Sequence, residues 1–203
     1  MEIVLVAVFS YFCGSIPFGL ILTQIFIRQD IRKIGSGNIG ATNVLRSGNK
    51  YLAFLTLILD VSKGYIPVLL TKQFFPELLQ LSALLAFLGH LFPIWLKFKG
   101  GKGVATFLGI LFAISYGLAA LFIVSWLTIS LIFRYSSLSS IFSSFTVFIV
   151  VLIKEKATVT NSPSIYGAED LKLLLFIFLI LIIYTHKNNI SNLINRTEHK
   201  IKL

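Results

Sequence analysis

Charged residues and cysteines are both scarce in this sequence. Of its 203 residues only 13% are charged, whereas 56% are hydrophobic and the mean hydropathy is +0.88. An average soluble domain has about 25% charged residues, so this composition excludes an ordinary soluble domain and indicates a polytopic membrane protein. The single cysteine, Cys13, excludes an intramolecular disulfide and a cysteine-rich metal site. Redox chemistry is therefore not expected.

Acidic residues are also few, and 18 Lys and Arg against eight Asp and Glu give a net charge of +10. The basic residues lie in short stretches between apolar segments and not in a soluble domain. This distribution is typical of membrane topology signals and not of a nucleic-acid-binding surface. The first apolar stretch has no basic residue before it and continues to Ile27. It therefore predicts a retained membrane span and not a cleaved signal peptide.

Apolar segments predict an all-α fold. They cover residues 3–27, 51–70, 78–96, 104–133, 138–153 and 171–184. The fourth would form a helix of about 45 Å, whereas the hydrocarbon core of a bilayer is about 30 Å thick. Gly117 offers a turn within it, and a division there gives seven transmembrane helices, two of them short. Because no soluble segment is left over, residues 1–203 are predicted to form a single integral-membrane domain.

The distribution of Lys and Arg predicts the orientation of these helices. An outer N-terminus and a cytoplasmic C-terminus place most of them inside, as the positive-inside rule requires. The cytoplasmic residues are then Arg28, Arg32, Lys33, Arg46, Lys50, Lys97, Lys99, Lys102, Arg134, Lys187, Arg196, Lys200 and Lys202. The outer residues are Lys72, Lys154, Lys156 and Lys172. Six undivided spans would instead move the basic C-terminal segment outside.

The segment GSGNIGATNVLR, at residues 35–46, is rich in glycine and neutral polar side chains. It matches G-x-G-x-x-G, but a dinucleotide fold is excluded because the match lies between two membrane spans and not in a βαβ unit. Its glycines allow a tight turn close to a ligand, and Arg46 offers a fork of donors to a phosphate. The neutral candidates for phosphate contacts are Ser36, Asn38, Thr42 and Asn43. A capped loop with an interfacial arginine is the alternative.

A second polar segment, GHLFPIWLKFKGGKGVAT at residues 89–106, brings three lysines to the start of an apolar stretch. It is not a Walker nucleotide loop, because Gly103 follows Lys102 where Ser or Thr is needed. Gly100, Gly101 and Gly103 predict a nest of N–H groups at a helix N-terminus. The helix dipole and Lys102 favour an anion there. The alternative is a helix boundary whose lysines extend to the interface.

Two charged residues lie within the second predicted span. Asp60 and Lys63 are placed where an ionised side chain costs about 2.5–3.5 kcal/mol on insertion scales. Because a spacing of three puts them on one helix face, they predict a structural ion pair. The alternative is that Lys63 lines a polar cavity. His90, in the next span, is expected to be a core histidine whose ring nitrogens are hydrogen-bonded. The alternative is that it acts as a ligand.

These segments, together with RYSSLSS at 134–140 and HKNNISNLINRTE at 186–198, resemble the bacterial acyl-phosphate:glycerol-3-phosphate acyltransferases. The resemblance covers nearly the whole chain, and residues 35–46 and 89–106 carry it most specifically. It implies a seven-span enzyme that transfers a fatty acyl group from acyl phosphate to the sn-1 hydroxyl of glycerol 3-phosphate. The product, lysophosphatidic acid, enters phospholipid biosynthesis. The resemblance implies a bacterial cytoplasmic membrane, an active site that faces the cytoplasm, and no cofactor. An enzyme that produces acyl phosphate is a candidate partner.

The resemblance also assigns roles to individual residues. Those implied to hold phosphate are Ser36, Arg46 and Lys102, with Gly100, Gly101 and Gly103 shaping the loop. Asn38 and Asn43, the polar candidates of the first segment, complete the predicted phosphate-binding set. Those implied to form a polar pocket near the reacting groups are Ser137, His186 and Asn189. Glu198 is implied to be structural, and no residue is implied to bind a metal. The C-terminal segment departs from the family pattern, since Asn192 stands where arginine is usual and Arg196 where glycine is common. Lys187 and Asn188 are further departures.

An acyl phosphate is an activated mixed anhydride, so such an enzyme needs to orient two anionic substrates and stabilise an oxyanion. Either His186 or a substrate phosphate accepts the hydroxyl proton. The H-x-x-x-x-D dyad of other glycerolipid acyltransferases is absent, and direct transfer without an acyl-enzyme is predicted.

Two other classes remain as alternatives. The first is a transporter or flippase of a phosphorylated solute, although such proteins usually show paired repeats and a site at the membrane midplane. The second is a lipid phosphotransferase, which normally needs acidic metal ligands. Among the motifs Asp60 has no second acidic residue beside it that could complete a metal site.

Overall fold

The computed structural model describes residues 1–158 and 168–201, with side chains described for 1–153 and 171–201. Within these residues the secondary structure is helical, and no strand is present. The α-helices are α1 (Glu2–Ser15), α2 (Phe18–Ile27), α3 (Ala41–Arg46), α4 (Lys50–Phe74), α5 (Leu79–Leu91), α6 (Val104–Ile114), α7 (Tyr116–Phe133), α8 (Ser136–Thr158), α9 (Ala168–Thr185) and α10 (Lys187–Ile194). The all-α fold is therefore confirmed.

The chain divides into two compact units, Met1–Ser115 and Tyr116–Leu203. The first unit contains α1 to α6 and the second contains α7 to α10. A single domain over residues 1–203 stays a prediction.

The described helices include several that are long and apolar enough to cross a membrane. Five candidates are Glu2–Ile27, Lys50–Phe74, Pro76–Leu96, Tyr116–Phe133 and Ser136–Ile153. A sixth is the pair Leu171–Thr185 and Lys187–Ile194, bent by 59°, and Val104–Ile114 is a shorter apolar helix. The chain is thus a multi-pass membrane protein. Seven crossings and their orientation stay predictions, and Lys202 and the side chains of Lys154 and Lys156 lie outside the described residues.

The long fourth apolar segment is broken, as predicted, but the break is at Ser115, and Gly117 lies within the first turn of α7. Helix α6 ends at Ile114 and α7 begins at Tyr116, with Ser115 in an extended conformation between them. Helix α6 is short, with 11 residues, but α7 has 18. Because about 17 residues are enough to cross a bilayer, the prediction of a second short helix is wrong.

A lysine from α4 caps the broken end of α6. The Lys72 Nζ donates to the carbonyl oxygens of Ala113 at 3.0 Å and Ile114 at 3.2 Å. The last carbonyl groups of a helix have no partner within it, and a positive charge is favourable at that end. Lys72 therefore stabilises the C-terminus of α6, which ends within an apolar segment.

Glycines bring α4 and α6 close together. Gly109 lies against the backbone of Val61, and Gly64 lies against the backbone of Thr106. A side chain at either glycine would overlap the neighbouring helix. Close approach of this kind is a main source of helix association in lipid, where the hydrophobic effect between helices is absent.

Several buried polar side chains are paired within each unit, whereas many large apolar side chains are exposed. The hydroxyl groups of Ser10 and Ser82 are 2.8 Å apart between α1 and α5, and the Ser143 hydroxyl donates to a carbonyl one turn earlier. Phe54 and Ile132 are each 65% exposed. An apolar outer surface is the arrangement expected in contact with lipid.

Candidate active site

The segment at residues 35–46 folds around one buried amide side chain. Asn43 is 2% exposed, and its Oδ1 accepts a hydrogen bond from the Ser36 N–H at 3.0 Å. The two N–H hydrogens on its Nδ2 are shared among the carbonyl oxygens of Ile31 at 3.0 Å, Ile34 at 2.9 Å and Asn38 at 2.7 Å. Both ends of the amide thus hold the loop together. Asn43 therefore supports the loop, and a direct contact between Asn43 and phosphate stays a prediction.

The other predicted ligands of this segment lie nearer its surface. Ser36 and Arg46 are exposed, and the aliphatic part of Arg46 lies next to Gly35. Gly35 has φ +56°, a conformation that L side chains rarely adopt. Asn38 is half-buried, and its Oδ1 accepts from the Ile39 N–H at 2.9 Å. The hydroxyl groups of Ser36 and Thr42 and the guanidinium of Arg46 are therefore exposed donors of this loop.

Arg32, which precedes the loop, is already paired. Its Nε and Nη2 donate to Asp30 Oδ1 at 2.9 Å and Oδ2 at 2.7 Å. The hydrogen bonds from Arg32 lower the pKa of Asp30 to about 2. An exposed pair contributes little to stability, but it offsets the charge of Arg32. Arg46 is therefore the better candidate cation for a phosphate.

The segment at residues 89–106 turns back on the end of α5 before α6 begins. The Gly100 N–H donates to the Leu91 carbonyl oxygen at 3.0 Å, and the Gly101 N–H donates to the His90 carbonyl oxygen at 3.1 Å. These two amides donate within the loop and are not part of a nest of N–H groups at the helix N-terminus. The two glycines shape the turn, and a contact between this turn and phosphate stays a prediction.

The start of α6 offers the N–H groups that are suited to an anion. The first bond of the helix runs from the Phe107 N–H to the Gly103 carbonyl oxygen at 2.7 Å. The amides of residues 104–106 therefore have no acceptor within the helix. The positive end of the helix dipole adds to the charge of the half-buried Lys102. Gly103 has φ +83°, and a side chain there would overlap the Phe87 ring.

Two aromatic side chains fasten this turn to α1. The Tyr11 hydroxyl donates to the Phe92 carbonyl oxygen at 2.8 Å, and the Trp95 Nε1 donates to the Ser15 hydroxyl at 2.8 Å. The partners are 81 and 80 residues apart in the chain. No local sequence pattern predicts pairs between residues so far apart in the chain.

The two glycine-rich segments share one apolar support within the first unit. The buried members of this cluster are Leu20, Leu22, Ile31, Ile39, Val44, Leu52 and Ala53. Ile39 and Val44 belong to the first segment, and Leu96 from the second segment packs against the cluster. The structure thus brings together two segments that are more than 40 residues apart in the chain.

The ion pair predicted within the membrane is confirmed. Asp60 Oδ1 and Lys63 Nζ are 2.7 Å apart, and each side chain is 3% exposed. The Lys63 Nζ also donates to the Ile16 carbonyl oxygen at 2.6 Å. This burial favours the structural reading of Lys63 over a cavity. His90 is buried, as expected of a core histidine, but its Nδ1 lies 4.0 Å from Asp60 Oδ1 and has no hydrogen-bond partner among the described residues.

In the second unit, Glu198 accepts hydrogen bonds from the predicted polar residues. Its Oε1 accepts from the Ser137 hydroxyl at 2.8 Å and from Asn189 Nδ2 at 2.7 Å. Its Oε2 accepts from Asn192 Nδ2 at 3.4 Å. These bonds tie the C-terminal segment to α8 and α10, which supports a structural role for Glu198.

His186 lies at the bend between α9 and α10 and is 2% exposed. Its Nδ1 is 2.8 Å from the Ile182 carbonyl oxygen. Because a carbonyl oxygen can only accept, Nδ1 carries a proton in this arrangement. In the neutral imidazole the acceptor lone pair is then on Nε2, which is the property that a general base requires.

Two departures from the family pattern have a structural context. Arg196 follows the end of α10 with φ 58° and donates its N–H to the Leu193 carbonyl oxygen at 3.2 Å, while the Thr197 N–H donates to the Asn192 carbonyl oxygen at 2.8 Å. This is a Schellman motif, in which glycine is preferred at the left-handed position. At position 192 the Asn amide reaches Glu198 only at 3.4 Å, whereas an arginine would offer a charged fork.

Taken with the fold, these segments define an all-helical, multi-pass integral membrane protein with two glycine-rich polar segments on a common support in its first unit. Among the residues that the structure describes, no group of three His, Cys, Asp or Glu is placed to hold a metal ion. The chain belongs to the glycerol-3-phosphate acyltransferase family, because the family model of that description matches residues 4–196.

Relatives are similar over their full length. A glycerol-3-phosphate acyltransferase of Pelagibacter ubique is 51% identical over 203 residues, which is 100% of both chains. One of Mesorhizobium japonicum is 47% identical over 199 residues, covering 98% of this chain and 96% of its own.

Solved structures agree with this assignment. The crystal structure of PlsY, an integral membrane glycerol 3-phosphate acyltransferase, in its glycerol 3-phosphate form has a TM-score of 0.90 and 35% identity, and the match covers 100% of this chain and 96% of that one. The lysophosphatidic acid form of PlsY has a TM-score of 0.86 and 34% identity with the same coverage.

Proposed function

We propose that this chain transfers a fatty acyl group from acyl phosphate to the sn-1 hydroxyl of glycerol 3-phosphate, giving lysophosphatidic acid and inorganic phosphate. The observation that carries the proposal is the full-length match to PlsY in a glycerol 3-phosphate form and in a lysophosphatidic acid form. Lysophosphatidic acid is glycerol 3-phosphate with one hydroxyl esterified. The two ligands are therefore the acceptor and the product of one acyl transfer.

Two sets of donors in the first unit support acyl phosphate as the acyl donor. Ser36 and Arg46 form one set at the surface of their loop. Lys102 and the first amides of α6 form the other set. Acyl phosphate and glycerol 3-phosphate each bring one phosphate group, so two anions correspond to two sets of donors.

In the proposed step, the glycerol hydroxyl oxygen attacks the carbonyl carbon of acyl phosphate. An ester C–O bond forms, the anhydride C–O bond breaks, and the phosphate leaves with the electron pair of that bond. Lys102 and the N-terminus of α6 stabilise negative charge on a phosphate group. The hydroxyl proton goes either to Nε2 of His186 or to an oxygen of a substrate phosphate. Transfer is direct, and trapping of an acyl-serine at Ser36 or Ser137 would contradict it.

We further propose that the reaction takes place at the cytoplasmic face of a bacterial inner membrane. The clustering of Lys and Arg in segments predicted to be cytoplasmic supports this orientation. Acyl phosphates hydrolyse readily because they are mixed anhydrides, so an enzyme that produces acyl phosphate is the proposed partner.

The test is an acyl-transfer assay with purified protein, palmitoyl phosphate and labelled glycerol 3-phosphate, with palmitoyl-CoA as the control donor. We expect lysophosphatidic acid from palmitoyl phosphate alone. Lys102→Ala removes one donor to the phosphate, and we expect about 100-fold lower kcat/KM. Lys99→Ala, an exposed lysine of the same segment, is the matched control and is expected to keep its activity.

If palmitoyl-CoA gave as much lysophosphatidic acid as palmitoyl phosphate, the proposal that acyl phosphate is the specific acyl donor would be refuted. No product from either donor in a folded preparation, with solute uptake into proteoliposomes, would favour the transporter class.

The proton acceptor is tested separately with His186→Gln. If His186 is the general base, we expect kcat to fall by about 100-fold to 10,000-fold. Retention of most of the activity, with an unchanged dependence on pH, assigns the proton to a substrate phosphate.

A further inference from the structure

A buried cluster of ionisable residues lies under the turn that leads into α6. It consists of Asp60 and Lys63 on α4 and His90 near the end of α5, and each is at most 5% exposed. Asp60 and Lys63 form their ion pair at 2.7 Å, and His90 Nδ1 faces the Asp60 carboxylate at 4.0 Å. The acyl-transfer step described above uses none of the three.

His90 is the member of this cluster that contacts the turn. Its carbonyl oxygen accepts the Gly101 N–H at 3.1 Å. Its imidazole lies against Gly101 so closely that a methyl group there would overlap Nε2. Both the backbone and the ring of His90 therefore fix the position of Gly101, which is the residue before Lys102.

Helix α4 supports the turn at its other end. The backbone of Thr106, in the first turn of α6, lies against Gly64, which is the residue after Lys63. Residues 100–106 are thus held between the imidazole of His90 and the backbone of α4. The same helix faces His90 through Asp60, so one rigid element supports both ends of the turn.

We propose that His90 is a positioning residue for the phosphate-binding turn. It holds Gly101, and through Gly101 it holds Lys102 and the amides at the start of α6 in the geometry that an anionic substrate needs. This inference rests on the proposed function, because it concerns the same turn. A misplacement of about 1 Å can cost about 100-fold in rate even when the altered residue does not touch the substrate.

The test uses the contact between the ring and the turn. Gly101→Ala places a methyl group into the imidazole, and His90→Ala removes the imidazole. In the full-length protein we expect each change alone to raise the KM and the dissociation constant for glycerol 3-phosphate about tenfold, with kcat changed less than about threefold. We expect the double variant to have a lower KM than Gly101→Ala alone, because the methyl group enters the vacated space. His199→Ala changes an exposed histidine and is the matched control.

Binding of glycerol 3-phosphate by isothermal titration gives a readout that does not depend on turnover. Wild-type protein that fails to bind it would overturn the proposed function itself. Wild-type binding together with unchanged affinity and KM in both single variants would overturn the role of His90 alone. Strictly additive effects of the two substitutions would also overturn it. His90→Asn, which keeps a polar side chain, is measured in parallel so that the inference stays testable if His90→Ala does not fold.

Discussion

Replacing Asn43 by alanine measures how much one buried amide contributes to the first glycine-rich segment. Its side chain accepts one hydrogen bond from the Ser36 N–H, and its two N–H hydrogens are shared among three carbonyl oxygens. An intramolecular hydrogen bond contributes about 1 kcal/mol, and a buried polar group left without a partner costs about 1–3 kcal/mol. Because the loop is partly exposed, water can reach some of the released groups. We therefore expect Asn43→Ala to lower the free energy of unfolding by about 4 kcal/mol.

The assay is thermal unfolding of the purified protein in detergent. In a chain of this size 1 kcal/mol shifts the Tm by about 2–4 °C, so Asn43→Ala is expected to lower the Tm by about 8–16 °C. Asn49→Ala is the matched control. It removes a single bond at the start of α4, the one from the Leu52 N–H at 3.0 Å, and is expected to cost about 1 kcal/mol. Equal Tm shifts for the two variants would refute the reasoning.

Three further predictions concern the C-terminal segment and the loop before residue 35. Arg196 has a left-handed backbone conformation that glycine adopts without strain. Arg196→Gly is therefore expected to raise the free energy of unfolding by about 1 kcal/mol, measured as a higher Tm. An unchanged or lower Tm would contradict this. Glu198→Ala removes the acceptor of three side-chain donors and is expected to lower the free energy of unfolding by about 3 kcal/mol. Glu198→Gln keeps an acceptor oxygen and is expected to lower it less. Equal losses of stability in the two variants would argue against a hydrogen-bonding role. The pKa of Asp30 is lowered from 3.8 to about 2, so the stability that its bridge contributes is present above about pH 3.8 and is lost as the pH falls towards 2. A carboxyl chemical-shift titration is expected to show the lowered value in the wild type and a return towards 3.8 in Arg32→Gln.

Local pattern in the sequence determined the helical class, the break near Gly117 and the positions of both glycine-rich segments. These features follow from the lengths of apolar runs and from residue types within a few positions of one another, which the covalent chain brings together by itself. The ion pair of Asp60 and Lys63 belongs to the same group, because a spacing of three on a helix places the two side chains on one face.

Only the tertiary structure decided what several of these residues do. Asn43 and Gly101 look like phosphate donors in the sequence, but their polar groups are already paired with carbonyl groups that the fold brings to them. The support from Tyr11 and Trp95 comes from partners about 80 residues away. A hydrogen bond is sensitive to distances of a few tenths of an ångström. Sequence spacing over such separations does not set these distances, whereas the packing of the helices does.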